Sequence, residues 1–179
     1  MLTDVELFVF PYDVLNGSRS LLRLLIDELG KDDWTHFQAA VAFAKSSGNF
    51  PALLDALLSF AAKGRKIDIT FGADRFSGEN KGSDYEAIEE VLAKLKDQPT
   101  ANVYLYHETG RTFHPKVYLF SNIDQQCALV FIGSANWSEG GVGQNVEANV
   151  LLRLNLTNAE HKACFDKIRS HFDQHWMGQ

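Results

Sequence analysis

Two spacings of hydrophobic positions alternate along this chain of 179 residues. Short apolar runs rich in β-branched and aromatic residues predict strands at 5–10 (VELFVF), 36–44, 66–72 (KIDITFG), 102–107, 113–120, 127–133 and 146–154. Between the first four, leucines and alanines recur at helical intervals. The segment 18–30 (SRSLLRLLIDELG) predicts a helix closed by Gly30, and Asn49 and Pro51 open a second that ends at Gly64. A third, over 83–97, starts with the pair Ser83 and Glu86, spaced as a capping box. Helical spacing then stops until Thr157 and Glu160, a second such box, open the last helix. Strands that alternate with helices and then follow one another predict an α/β fold. Its core is a mixed sheet of about seven strands sandwiched by helices on both faces. No repeat, low-complexity tract or linker divides the chain, so residues 1–179 are read as a single domain.

Composition narrows the classes. A hydrophobic fraction of 45% excludes a disordered chain. No apolar run reaches the roughly 18 residues of a membrane span, and the first residues lack the basic start of a signal peptide. Cys127 and Cys164 lie within apolar patterns without motif spacing and are read as reduced core residues, consistent with the cytoplasm. The net charge of −6 gives no overall attraction to nucleic acid or anionic lipid, so a polyanion must be held by a local site or by another domain.

One strand raises a chemical question. FHPKVYLF (113–120) places His114 and Lys116 two residues apart, hence on one face of the pleat about 7 Å apart. Alone, the pair reads as a solvated edge strand. The linker SNIDQQ suits a hairpin, and a reversal near residue 123 or 124 brings His114 opposite Gly133 and Ser134. There the sequence GSANWSEGG (133–141) supplies Ser134 and Asn136 as hydrogen-bonding side chains. Eleven residues after Asn136, Glu147 opens the next strand and is placed to return a carboxylate to the imidazole. A phosphodiester can be broken by such a set without metal. It needs a nucleophile (neutral His114), fixed positive charge (Lys116), hydrogen bonds to phosphoryl oxygens (Ser134, Asn136) and a carboxylate that fixes the histidine tautomer (Glu147).

HPK, then GSAN, then a glutamate resembles the signature of the phospholipase D superfamily: His-x-Lys, Gly-Ser-x-Asn, Glu. The segments VAFAKSSGNFPALLDALL and FGADRFSGENKGSDYEAIEEVL are similar to the nuclease branch found in certain restriction endonucleases and helicase-associated proteins. The resemblance implies a metal-independent phosphodiesterase without cofactor, with His114, Lys116, Ser134, Asn136 and Glu147 at its site and a phosphohistidine intermediate. Nucleic acid, with DNA favoured, is the implied substrate, in a restriction or defence setting. Two histidines are needed and the motif occurs once, so the resemblance to single-motif members also implies a homodimer with the site at its interface. The chain departs from the family at Ser121, where an Asp usually stands five residues after the Lys, and in a longer gap to Gly-Ser. Rival readings are a lipid or small-diester phosphodiesterase and an inactive dimerisation or nucleic-acid-binding module. The lack of a basic amphipathic stretch counts against lipid and membrane. No recognition helix, zinc finger or basic arm is visible, so reading of DNA sequence is left to a further domain or subunit.

Other candidates weigh less. The loop 72–83 lacks the Gly-Lys-Ser/Thr ending of a nucleotide loop, although Arg75 or Lys81 could contact a substrate backbone. His161 with Cys164, and His171 with His175, are half-sites for metal too far apart on one helix to share an ion. Trp137 is read either as a base-stacking platform or as packing under the GSAN turn.

Overall fold

The computed structural model describes residues 5–10, 20–73 and 82–177. Its strands are β1 (Val5–Phe10), β2 (His36–Val41), β3 (Lys66–Gly72), β4 (Ala101–Tyr106), β5 (Lys116–Asn122), β6 (Cys127–Gly133) and β7 (Glu147–Asn155). The helices are α1 (Leu21–Gly30), α2 (Pro51–Ala62), α3 (Tyr85–Leu95) and α4 (Ala159–His171). All seven strands form one sheet in the order β1-β7-β6-β5-β2-β3-β4. The β2–β3 and β3–β4 pairs are parallel and the rest antiparallel. The predicted mixed sheet with helices on both faces is the observed fold.

Each helix presents its apolar stripe to the sheet. Leu21, Leu25 and Leu29 of α1 pack with Leu53 and Leu57 of α2 and Ile88 and Val91 of α3, over Phe37, Ile69, Phe120 and Phe131 on one face. On the other face, α4 and the π turn after it (Phe172–Trp176) bury Phe165 and Phe172 against Leu119, Val130 and Leu154. None of the described helices is long and apolar enough to cross a membrane. Cys127 and Cys164 are free and half-buried.

Both expected capping boxes are absent. At α3 the cap position is Asp84, and Ser83 lies one residue earlier. The Ser83 hydroxyl donates to the Gly72 carbonyl (2.7 Å) and accepts from the Ala44 amide (3.1 Å), tying the ends of β3 and β2 together. At α4 the cap is Asn158, whose side chain accepts from the amides of Glu160 (2.9 Å) and His161 (3.2 Å). Thr157 instead donates to Asn155 Oδ1 (2.8 Å).

Two strand limits also differ, and both matter for the site. β5 starts at Lys116, because Pro115 has no amide hydrogen to add to the ladder; its carbonyl still accepts from Ala42 N (2.8 Å). β2 ends at Val41, and beyond it Ala44 bridges to Trp137. The β5–β6 turn spans Ile123–Gln126, with Gln126 at φ 53°, so the reversal falls slightly later than expected. Val117 pairs with Ile132, and one step further Lys116, not His114, faces Gly133.

Candidate active site

The start of β5, the end of β6 and the start of β7 lie at one end of the sheet, beside the end of β2. His114 precedes β5 and is exposed, whereas Lys116, its first residue, is 7% exposed. The expected 7 Å separation closes because the lysine reaches back. Its Nζ lies 2.8 Å from His114 Nδ1, 3.0 Å from Nε2 and 3.2 Å from the His114 carbonyl. The Phe43 ring meets the imidazole edge-on, centroids 5.8 Å apart. Burial lowers the Lys116 pKa from its ordinary value, and the nearby Glu147 carboxylate works in the opposite direction.

The Gly133–Asn136 stretch closes the site from the β6 side. Ser134 N donates to the Ala148 carbonyl (3.1 Å), and Ser134 Oγ accepts from Ala148 N (3.1 Å) and donates to Glu147 Oε2. A hydroxyl has one proton, so Ser134 here serves the carboxylate rather than a phosphate. Asn145 Nδ2 approaches the other oxygen of Glu147 at 3.5 Å. Glu147 itself is buried. Among the described residues it makes no hydrogen bond to His114, so the expected carboxylate–imidazole contact is not formed within one chain.

Asn136 is half-buried, with Oδ1 enclosed and unpartnered, which leaves Nδ2 as the end that can meet a ligand. Its backbone is pressed by Gly141, where a Cβ would stand 2.7 Å from Asn136 N and overlap Asn136 O. Only glycine allows that approach. Trp137 is fully buried and donates from Nε1 to Asn49 Oδ1 (2.9 Å), which settles its role as packing under the turn. Beneath the loop, the Tyr118 hydroxyl donates to the Ala135 carbonyl (3.2 Å). Burial, then the Glu147 charge, raises its pKa and keeps it neutral.

All five residues named from the sequence therefore converge on one sheet end. Phe43, Tyr118 and Asn145 join them. Of these only Asn145 had a sequence signal, its two-residue spacing from Glu147. Arg75 and Lys81 lie outside the described residues. His171 and His175 sit 5.7 Å apart between ring centroids, with His171 stacked on Trp176, whose ring in turn meets Phe113 edge-on at 6.1 Å. His161 Nδ1 accepts from Asn155 N (3.1 Å) and is part of the β7–α4 junction.

Comparison with known proteins agrees with this layout. No curated protein sequence matches the chain. NucT from Helicobacter pylori superposes with a TM-score of 0.60 at 22% identity, covering 93% of this chain and 96% of its own. The phospholipase D family member Nuc from Salmonella typhimurium gives 0.57 at 16% identity, over 96% and 95%. Phosphatidylserine synthase from Haemophilus influenzae gives 0.59 at 13% identity, with 96% of this chain covering 39% of that one. The family described as "Cardiolipin synthase, PLD-like domain" matches residues 36–176, a span that holds every residue of the site. The chain belongs to this family of phospholipase D-like domains.

Proposed function

We propose that the chain is the catalytic domain of a metal-independent phosphodiesterase that cleaves DNA through a phosphohistidine. The observation that supports this most is the meeting, at one sheet end, of the His114–Lys116 contact with the Ser134–Glu147 pair. Neutral His114 attacks phosphorus, forming a P–N bond as the P–O bond to the leaving oxygen breaks. Lys116 and the Asn136 amide offset charge on the phosphoryl oxygens. The leaving oxygen takes its proton from a second imidazolium. Water then attacks the phosphohistidine, gives its proton to that now neutral ring, and the P–N bond breaks.

The second imidazole is His114 of another copy, since HPK and GSAN each occur once. A symmetric homodimer with one shared site follows from that requirement. Glu147, bound by Ser134 and Asn145 and not by its own His114, is then the carboxylate that orients the histidine across the axis. An apolar row suits such a contact. Leu7, Val150 and Ile132 are cross-strand neighbours, and Leu7 (66%), Ile132 (37%) and nearby Val146 (62%) are exposed. The sequence resemblance to the nuclease branch favours a nucleic-acid substrate. The sequence resemblance favours a cytoplasmic restriction or defence module with recognition supplied by another domain or subunit.

The test is cleavage of plasmid DNA in EDTA. Wild type is expected to cut, His114→Ala to lose turnover, and Glu147→Gln to lose on the order of 10²-fold. Cleavage that requires added Mg²⁺, or persists in His114→Ala, would overturn the proposal.

A further inference from the structure

A cross-strand row at the site includes a residue that the mechanism above does not use. Asn149 pairs with Gly133 across β6–β7, and Gly133 in turn faces Lys116 across β5–β6, one step beyond the Val117–Ile132 pair. Cross-strand partners share a face. Asn149 and Lys116 thus flank a position with no side chain. The asparagine fills it: a Cβ on Gly133 would overlap Asn149 Oδ1, so the amide leans over the glycine toward the lysine column. One strand spacing, about 4.8 Å, remains between that column and the glycine. The flexible stem of Lys116 can span it by a change of rotamer.

Asn149 is 3% exposed, and its Nδ2 is buried without a partner. An orphaned donor is a desolvation cost that leucine, of similar shape, would avoid. The amide is therefore explained by its other end. In the free protein the Lys116 ammonium lies against the His114 ring, where the one unprotonated nitrogen can accept from it, and donates to the His114 carbonyl. Those ring contacts must break when the imidazole turns to attack. A buried ammonium then needs another acceptor besides the phosphate.

We propose that Asn149 is a further positioning residue: a neutral acceptor, held over Gly133, that keeps the Lys116 ammonium aimed at the phosphoryl group while His114 reacts. Neutrality matters here. A carboxylate in this place would bind the lysine as an ion pair and compete with the phosphate, and it would stand close to Glu147 on the same strand face. The inference rests on the phosphodiesterase reading for its role in turnover, but not for the Asn149–Lys116 proximity.

Two variants and two readouts test it. The Lys116 side-chain NMR signal, identified by its loss in Lys116→Arg, reports the lysine titration whether or not the protein cleaves anything. Asn149→Asp is expected to raise the Lys116 pKa by one unit or more, the usual effect of a carboxylate within about 4–6 Å. With an aryl phosphodiester substrate, both Asn149→Asp and Asn149→Leu should lower kcat about tenfold or more, with KM changed less than about threefold. Asn149→Leu should keep or raise the urea midpoint, which a merely structural asparagine would not allow. If the leucine variant fails to fold, the isosteric aspartate decides. An unshifted Lys116 titration in Asn149→Asp would overturn the placement. Unchanged kcat in the folded variants of an active enzyme would overturn the role. An inactive wild type with a shifted titration would instead overturn the phosphodiesterase reading and leave the placement supported.

Discussion

Asp68 has no exposed surface, yet its carboxylate is held ionised. Burial alone would raise its pKa. Hydrogen bonds from His36 Nε2 (2.7 Å) and Asn102 Nδ2 (2.9 Å), and the Lys66 ammonium at 2.9 Å, outweigh burial and bring it to about 2. The folded value is below the unfolded one of about 3.9, so the carboxylate favours folding above that pH, and its contribution is lost as pH falls toward 2. Urea midpoints should therefore drop across that window, and Asp68→Asn should flatten the drop while lowering the midpoint at pH 7. A wild-type midpoint that is level from pH 5 to 2 would contradict the assignment. Ser121, the departure from the family pattern, lies beside this cluster. Ser121 faces His36 across β2–β5, and its carbonyl accepts from Thr35 N (3.0 Å) and Oγ1 (3.2 Å).

At the scale of elements, the bonds that end or join segments are sharper than their sequence patterns. Ser83 links two strand ends where a helix cap was expected. Ser83→Ala should cost about 1–3 kcal/mol, because it leaves a buried amide and carbonyl short of a partner, whereas Glu86→Ala should be nearly neutral. Asn158→Ala should cost about 1 kcal/mol and exceed Thr157→Ala. Urea melts of the four variants check both rankings. The seven strands and the helices were legible because burial imposes periods of 2 and 3.6 on the sequence, and the sheet leaves little freedom in where those faces point. The caps were not, since a serine or threonine three residues before a glutamate says nothing about a nearer competitor for its hydroxyl. The site was legible in identity but less so in wiring. Pro115 displaced His114 from the strand, Ser134 spent its proton on Glu147, and Asn149 had no signal until Gly133 was seen beneath it.

For the whole molecule, a net charge of −6 gives no overall attraction to a polyanion. The proposed shared site would make activity a property of pairs. When wild type and His114→Ala are mixed and fully exchanged, activity should fall as the square of the wild-type fraction, because a pair with one dead histidine lacks either nucleophile or acid. A linear fall with exchange confirmed would show that each chain works alone. Ile132→Lys or Leu7→Lys, on the exposed row, should reduce dimer and activity together, as read by sedimentation and by cleavage.

The pairing of β1 with β7 has a consequence for synthesis. Phe10 meets Glu147, so β1 is made about 140 residues before its partner exists. At roughly 5–20 residues per second, that is on the order of 10–30 s of translation. Through that interval VELFVF is an unpaired β edge on the ribosome, open to nascent neighbours and to chaperones. The rate at which β7 emerges then sets how much of the protein reaches its native sheet rather than an aggregate.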